Sequence, residues 1–547
     1  MAEPVPLPVA RIFDVAIVGA GLCGLVLARQ LIARGLEVVV IEARERVGGR
    51  MHTRYCEATG QTMDLGPTWF WTETEPRITA LLGELGLASQ PQADSGDALW
   101  LTDPNQPPER HIHTSGVHVG ARRIEGGAGK LAQALADDLP LGTVRLGVAL
   151  HALRDKGALI ELLPVAGHAI KARQAVLALP PRLVGEQLEF DPPLPVAVQD
   201  ALAATPTWMA AQAKVVTTFA TPFWREAGHS GNAFVRHPQA MLGEVFDASV
   251  GDAGALGGFI ALNPAQREHF KRGLPILIES QLIQLYGPQA QNGQQFVQDW
   301  AQENWTCSTL DRTLPPEPAQ INPLLRQAQW ADRLFFGGSE TAAHGAGHME
   351  GALEAADRIV HALCRPPVNA GNAEKSSTHA SVLHLAQAAD GTRAEAMGAF
   401  AASVLALRGL APERYRLHLT RLLSSQQPEQ LTQRALLATA DQIYSESLAR
   451  LDQLLPALNA AHSEVTHSRH ALTAGLLAPF EGWNKGLLDA ALSFNGTSCA
   501  LSNFELEHHP GPDMLRAITL DLAAAWREFA FELNSRLLAA SGWAAGV

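Results

Sequence analysis

Cysteine is scarce in this chain and follows no pattern. Cys23, Cys56, Cys307, Cys364 and Cys499 are scattered and odd in number, with no CxxC pair or zinc-type spacing among them. This excludes a disulfide framework and a cysteine-built metal site, and it points to a reducing compartment, the cytoplasm. Positive charge is short too: the formal net charge is −13, which argues against a nucleic-acid partner. Long apolar runs are missing, since none reaches the ~18 residues of a membrane span. The longest candidate, Met397–Leu407, is alanine-rich and too short. Met1–Arg11 is broken by prolines and lacks the charged-then-apolar order of a secretory leader. There is no internal repeat or low-complexity tract. The expectation is a soluble protein with no membrane partner, and 547 residues leave room for about three domains.

What the chain does have is glycine at informative places. Asp14 to Arg50 reads DVAIVGAGLCGLVLARQLIARGLEVVVIEARERVGGR. The apolar run Val15–Val18 predicts a buried parallel strand. Gly19, Gly21 and Gly24 then open an apolar-periodic helix through Leu25, Leu27, Leu31 and Ile32. A second run, Val38–Ile41, ends at Glu42. Each part serves dinucleotide binding. Gly19 allows a tight turn, Gly21 lets backbone N–H groups approach a pyrophosphate, and Gly24 lets helix and strand meet closely. The helix N-terminus faces the negative charge, and Glu42 can accept hydrogen bonds from an adenosine ribose. The next loop adds Gly48-Gly49 and the arginines Arg44, Arg46 and Arg50. A second glycine pair permits close backbone approach, and Arg50 offers a fork of donors to phosphate or ribityl oxygens.

Two more clusters lie far along the chain. Leu334 begins LFFGGSETAAHGAGHMEGALEAADRIV: a short apolar strand, Gly337-Gly338, Glu340, a loop, and a helix starting near Gly347. That layout again points a helix N-terminus at an electron-rich group. Between the glycine clusters, Gln212–Phe219 alternates like a strand, carries Lys214, and continues to Thr221-Pro-Phe-Trp224. A strand lysine taken alone reads as an exposed edge residue.

Together these stretches closely resemble the flavin-containing amine oxidases, the monoamine oxidase-like family, over about residues 11–365. The resemblance implies a glutathione-reductase-type, Rossmann α/β domain for FAD and a mixed α+β substrate domain. An all-α region follows by periodicity. The implied FAD domain is discontinuous, residues 11–72, 115–182 and 303–365, and the substrate domain is 73–114 with 183–302. By resemblance, Glu340 organises the ribityl or pyrophosphate region, beside Gly338, and Met349 donates its backbone N–H to the flavin ring. Lys214 holds a water against flavin N5. Gly66-Pro-Thr-Trp69 and Trp71 fall in a segment whose backbone lies near the isoalloxazine. Val144–Leu150 resembles the strand whose end, Leu150, meets adenine, and Trp305 an aromatic preceding the substrate-facing residues.

The departures from the family pattern bear on the substrate. Thr309 stands where mitochondrial members carry the flavin-linking cysteine, and Cys307 falls two residues short, so non-covalent FAD is expected. Leu310 and His348 replace the tyrosines of the family's aromatic cage. His348 either titrates against the substrate or caps its helix. Gly66–Trp71 lacks an arginine for a substrate carboxylate, and its Trp and Phe residues suggest an apolar pocket. The implied reaction is oxidation of a small-molecule amine to an imine, with O2 reduced to H2O2. Two rivals share the glycine clusters or the helical region: a C–C desaturase or porphyrinogen-type oxidase, and a flavin-stabilised interaction scaffold.

Arg365–Ser377 is polar and rich in Pro, Gly and Ser, giving a linker over 366–377. Residues 378–547 read as amphipathic helices starting near His379, Glu395, Pro412, Pro428 and Asp513, with a stop near Lys485-Gly486. That region resembles no family and is assigned no chemistry. Homo-oligomer contact, a partner protein and shielding of the substrate entrance are all open to it. His508-His509 reads as a surface pair, so no metal is expected.

Overall fold

Strands whose two faces are both covered must be apolar throughout, and Val15–Val18 and Val38–Ile41 are. In the computed structural model they are neighbouring strands of an eight-stranded sheet. The structure describes residues 11–112, 116–314, 322–364, 385–424, 430–458, 471–497, 507 and 510–540. The expected linker and His508-His509 lie outside these residues, as do the expected helix starts at His379 and Pro428.

Strand Ile12–Val18 pairs in parallel with Val38–Ile41 on one side and Ile170–Leu177 on the other. Leu334–Phe336 joins the far side of Ile170–Leu177, also in parallel, which brings the second glycine cluster beside the first. Helices Leu22–Ile32 and Met349–Leu363 cover one face, burying Leu25, Leu31, Leu353 and Ile359 with Val15 and Ile17. The expected strand Val144–Leu150 is instead two strands, Val144–Arg145 and Leu150–Asp155, in the same sheet. Gly147 breaks the run: it adopts φ +67°, and the turn lets Val148 N donate to Glu42 O at 2.9 Å.

A second sheet has seven strands, in the order Gln294–Asp299, Ala213–Phe219, Gly254–Ile260, Leu242–Asp247, His229–Val235, Asp97–Leu101 and Glu109–His111. Ala213–Phe219 is interior to it and buried along its whole length, so Lys214 is not an edge residue.

Residues 1–365 form one compact unit and 366–547 another. The described part of the second unit is helical: Leu385–Gly409, Ala411–Ser424, Leu431–Leu458, Ala471–Leu477, Trp483–Thr497 and Pro512–Ala540, with a short 3-10 turn at Ala478–Phe480. Phe400, Leu436, Ile443, Leu451, Leu522 and Leu533 are among its core, and Tyr444 stacks on Phe529 at 4.5 Å. Lys485-Gly486 does not stop a helix but lies inside Trp483–Thr497. Glycine costs a helix only ~1 kcal/mol, and Trp483, Leu487 and Ala491 anchor that helix in the core. Among the described residues no single helix is long and apolar enough to cross a membrane, although the pair Arg393–Gly409 and Ala411–Leu423, bent by 45°, meets that test jointly.

Candidate functional site

Gly19, Gly21 and Gly24 stand where the strand end Val18 meets the helix start Leu22. Gly19 has φ +104°, and a Cβ there would lie 2.6 Å from Ala178 O. A Cβ on Gly24 would lie 2.0 Å from Gly19 O, so only glycine admits this approach of helix to strand. Gly21 differs. It caps the helix in extended backbone, and a Cβ there would meet nothing within 4 Å. The first helical turn, whose N–H groups have no partner within the helix, therefore begins beside open space, a cradle for an anion.

Glu42 forms one wall of this region. It is buried, and its carboxylate accepts from Ala20 N at 2.9 Å and Arg44 N at 3.0 Å. Arg44 in turn donates to Glu303 at 3.1 Å and to Thr306 Oγ1 at 2.7 Å. A cavity opens here, lined by Gly19, Glu42, Arg44, Val148, Leu150 and Trp305 among others. One acceptor carboxylate, an aromatic ring and aliphatic walls are a lining suited to an adenosine. Leu150 and Trp305, far apart in sequence, are thus brought together with Glu42.

The second glycine cluster closes on the first. Gly338 N donates to Cys23 Sγ at 3.3 Å. Glu340, fully buried, accepts a two-pronged bond from Arg50, Nη1 at 2.6 Å and Nη2 at 2.9 Å. Arg50 also donates to Ser339 Oγ at 2.9 Å and Trp208 O at 3.2 Å. The fork expected to face phosphate or ribityl oxygens therefore has Glu340 as its protein partner. Burial pushes the Glu340 carboxyl up, but the Arg50 charge and hydrogen bonds outweigh it and hold the group below its ordinary range. Gly49 adopts φ +56°, and its missing Cβ would sit 3.5 Å from Gly21 Cα.

Lys214 faces the segment after this loop. It is 3% exposed, donates to Gly66 O at 2.9 Å, and also bonds Thr68 Oγ1. Gly66 is pressed against the chain, since a Cβ there would lie 1.9 Å from Arg50 O. Pro67 is half-buried between these contacts. Trp69 Nε1 donates to Gln92 at 2.8 Å and Trp71 Nε1 to Val119 O at 3.0 Å. Lys214 Nζ also lies 5.3 Å and 5.7 Å from the ring centres of Phe246 and Phe259.

His348 is the N-cap of Met349–Leu363, and Met349 is buried at its first turn. The His348 ring lies 6.0 Å from that of Trp208. Leu310, by contrast, sits on the short helix Thr309–Thr313 and is 40% exposed. Thr309 is tied to Glu186 at 2.8 Å through its N–H and 3.0 Å through its hydroxyl. Cys307 is buried with Ala210 and Ala301, and burial raises its thiol to about 11.

Sequence reasoning missed Trp208, Glu303 and a buried group of Asp94, His118 and Glu244. Trp208 precedes the lysine strand and is followed by Met209 at φ +59°, a strained backbone value with no signal in the residue type. Asp311 fixes this turn, accepting from Thr207 N at 3.0 Å while paired with Arg182 at 2.7 Å. Nothing in the local sequence marks His118, because its partners come from other strands and loops.

The family model for flavin-containing amine oxidoreductases matches residues 22–113 and 108–364. Amine oxidase [flavin-containing] B of Sus scrofa is 23% identical over 460 residues, covering 65% of this chain and 87% of its own. A solved putrescine oxidase, bound to putrescine, has 21% identity and a TM-score of 0.54, covering 65% of this chain and 100% of its own. Cyclohexylamine oxidase from Brevibacterium oxydans IH-35A has 19% identity and a TM-score of 0.53, covering 64% and 99%. The family match stops at residue 364. With both glycine clusters gathered around one cradle, and the match covering most of the chain, this protein belongs to the flavin-containing amine oxidoreductases and is an FAD-dependent enzyme.

Proposed function

We propose that the enzyme oxidises a primary or secondary amine to an imine, which water then converts to an aldehyde or ketone. FAD, held without a covalent bond, supplies the hydride acceptor at N5, and O2 is the terminal acceptor, leaving H2O2. The observation that carries this reading is the buried lysine. Lys214 projects from an interior strand onto Gly66 and Thr68, in the segment packed against Arg50. Burying an ammonium is costly without partners, so its retention between a carbonyl and a hydroxyl argues for a task. A fixed positive charge there favours electron density at an adjacent acceptor and positions a water.

The other residues bind and orient. Gly21 and the first turn of Leu22–Ile32 take the pyrophosphate, and Glu42 the ribose, beside Leu150 and Trp305. The Arg50–Glu340 pair with Gly338 locks the two cofactor-binding segments together. Met349 N–H, at a helix start, would donate to the flavin ring. His348 and Trp208 form one wall of the amine pocket, with Trp71 and Leu310 as further candidates. A cytoplasmic location fits the thiol usage.

Anaerobic mixing with amines tests the reading: at least one amine should bleach the flavin band near ~450 nm. Lys214→Met should keep FAD but slow reoxidation by O2 roughly tenfold or more. A panel of amines that leaves the flavin oxidised, while a carotenoid-like or tetrapyrrole substrate bleaches it, would make the enzyme a desaturase or porphyrinogen-type oxidase. Inertness to both would favour the scaffold.

A further inference from the structure

The Lys214 ammonium has hydrogens to give and no lone pair to receive one. In its bond to Lys214, Thr68 Oγ1 can therefore only accept. The Thr68 hydroxyl hydrogen is turned away from Lys214 and has to find an acceptor elsewhere. None stands among the described residues, where the bond from Lys214 is the one hydrogen bond the Thr68 side chain makes. Yet Thr68 is only 8% exposed, and a buried hydroxyl without an acceptor for its hydrogen is uncommon and costly. Gly66, Pro67 and Trp69, on either side of it, are half-buried, so the segment borders open space.

This segment is held firmly enough to aim a single hydrogen bond. Trp300 Nε1 donates to Leu65 O at 3.0 Å. Gly66 is pressed against Arg50 O and accepts from Lys214 at 2.9 Å, and Trp69 is tied to Gln92 at 2.8 Å. Lys214 is fixed as well, since its strand is buried from Ala213 to Phe219 and is paired on both sides. A hydroxyl that accepts from a cation is also a stronger donor, because consecutive hydrogen bonds polarise one another.

We infer that Lys214 acts on the flavin through Thr68: the ammonium donates to the hydroxyl, and the hydroxyl donates to an acceptor atom of the ring. Thr68 is then the group that touches the cofactor, and Lys214 is the charge behind it. This rests on the amine-oxidising reading above for the place of the flavin beside this segment, and adds to it the residue that tunes the ring. A donor aimed where negative charge builds up on reduction favours the reduced ring over the oxidised one.

The test compares full-length wild type with Thr68→Val, Thr68→Ser, Lys214→Met and the Thr68→Val/Lys214→Met double variant. Each is read by its flavin midpoint potential, set with redox dyes and without amine. Thr68→Val removes the hydroxyl at nearly constant shape and should weaken binding of reduced relative to oxidised FAD roughly tenfold. That is a potential lower by about 30 mV for a two-electron couple. Lys214→Met should lower it by a similar amount, and the double variant little further, because the two groups form one chain. Thr68→Ser keeps the hydroxyl and should hold the affinity ratio within about twofold of wild type. Should Thr68→Val strand the ammonium and fail to fold, Thr68→Cys, a weaker acceptor and donor, takes its place and should fall between Thr68→Ser and Lys214→Met. Additive drops would mean that Lys214 reaches the ring without Thr68, and they overturn the inference. So does a Thr68→Val or Thr68→Cys potential equal to that of wild type. A Thr68→Ser drop as large as that of Thr68→Val would trace the effect to packing and overturn it too. No amine enters these measurements, so failure of every amine to reduce the flavin would remove the amine-oxidising reading without deciding this one.

Discussion

At the scale of single residues, the sharpest expectation concerns His118. Burial alone would lower its pKa, but the Asp94 and Glu244 carboxylates, each 3.5 Å from the ring, more than reverse this and raise it from 6.5 to about 9. A folded-state value above the unfolded one means stability is fully present below pH 6.5 and is lost as pH rises toward 9. His118→Gln leaves the two carboxylates without their counter-charge and should destabilise the enzyme at pH 6 by ~3 kcal/mol. That deficit should shrink toward pH 9 in thermal melts; a gap constant with pH would show that His118 is neutral in the fold. None of this is legible in the sequence. The glycines are, because each answers a local steric demand that residue type alone satisfies, as Gly24 does against Gly19 O. His118 is set by neighbours on the loop at Asp94 and the strand Leu242–Asp247, and such register is invisible to a window sliding along one segment. Trp208 escapes notice for a similar reason, since its place depends on the Asp311 bond to Thr207 N.

At the scale of elements, the first strand–helix–strand unit separates folding from binding within one loop. Gly24→Ala drives a Cβ into a backbone oxygen 2.0 Å away, and should cost ~2–3 kcal/mol in the apoprotein. Gly21→Ala meets nothing within 4 Å at an ordinary φ of −75°. The apoprotein should then melt within ~0.5 kcal/mol of wild type, while FAD affinity drops roughly tenfold or more, because the methyl enters the anion cradle. Titrating apoprotein with FAD and melting it without FAD reads both effects; a Gly21→Ala protein with undiminished affinity would move the pyrophosphate elsewhere. Unbroken apolar runs make Val15–Val18, Val38–Ile41 and Leu334–Phe336 readable from residue order alone, although the first of these strands begins earlier, at Ile12, ahead of Asp14. The second sheet is less so. His229–Val235 is buried at nearly every position, without the period of two that marks a half-exposed strand. Punctuation also misleads where tertiary contacts prevail: Gly486 lies within a helix held by Trp483 and Leu487, whereas Gly147 does end a strand.

For the whole molecule, the question is whether two compact units mean two independently stable ones. The cores answer on composition. The clusters around Leu25, Ile17 and Leu353 and around Val245 and Ile278 draw only on the first unit. The cluster around Ile443 and Phe529 runs from Ala396 to Leu537, within the second. A domain needs its own core to fold alone, and each unit has one large enough. The second unit also satisfies buried polar groups internally. Tyr415 donates to Asn495 at 2.7 Å, and Asn495 to Thr432 at 2.7 Å. Glu507 accepts from the first N–H groups of Leu431–Leu458 at 2.7 Å and 2.8 Å. Residues 11–365 expressed alone should therefore bind FAD and keep the amine reaction. Residues 378–547 alone should give a helical circular dichroism spectrum and a cooperative melt. If the first fragment is colourless after incubation with FAD while the full chain is yellow, the helical unit contributes directly to the cofactor site, and the family resemblance, which ends at residue 364, would describe only part of the enzyme.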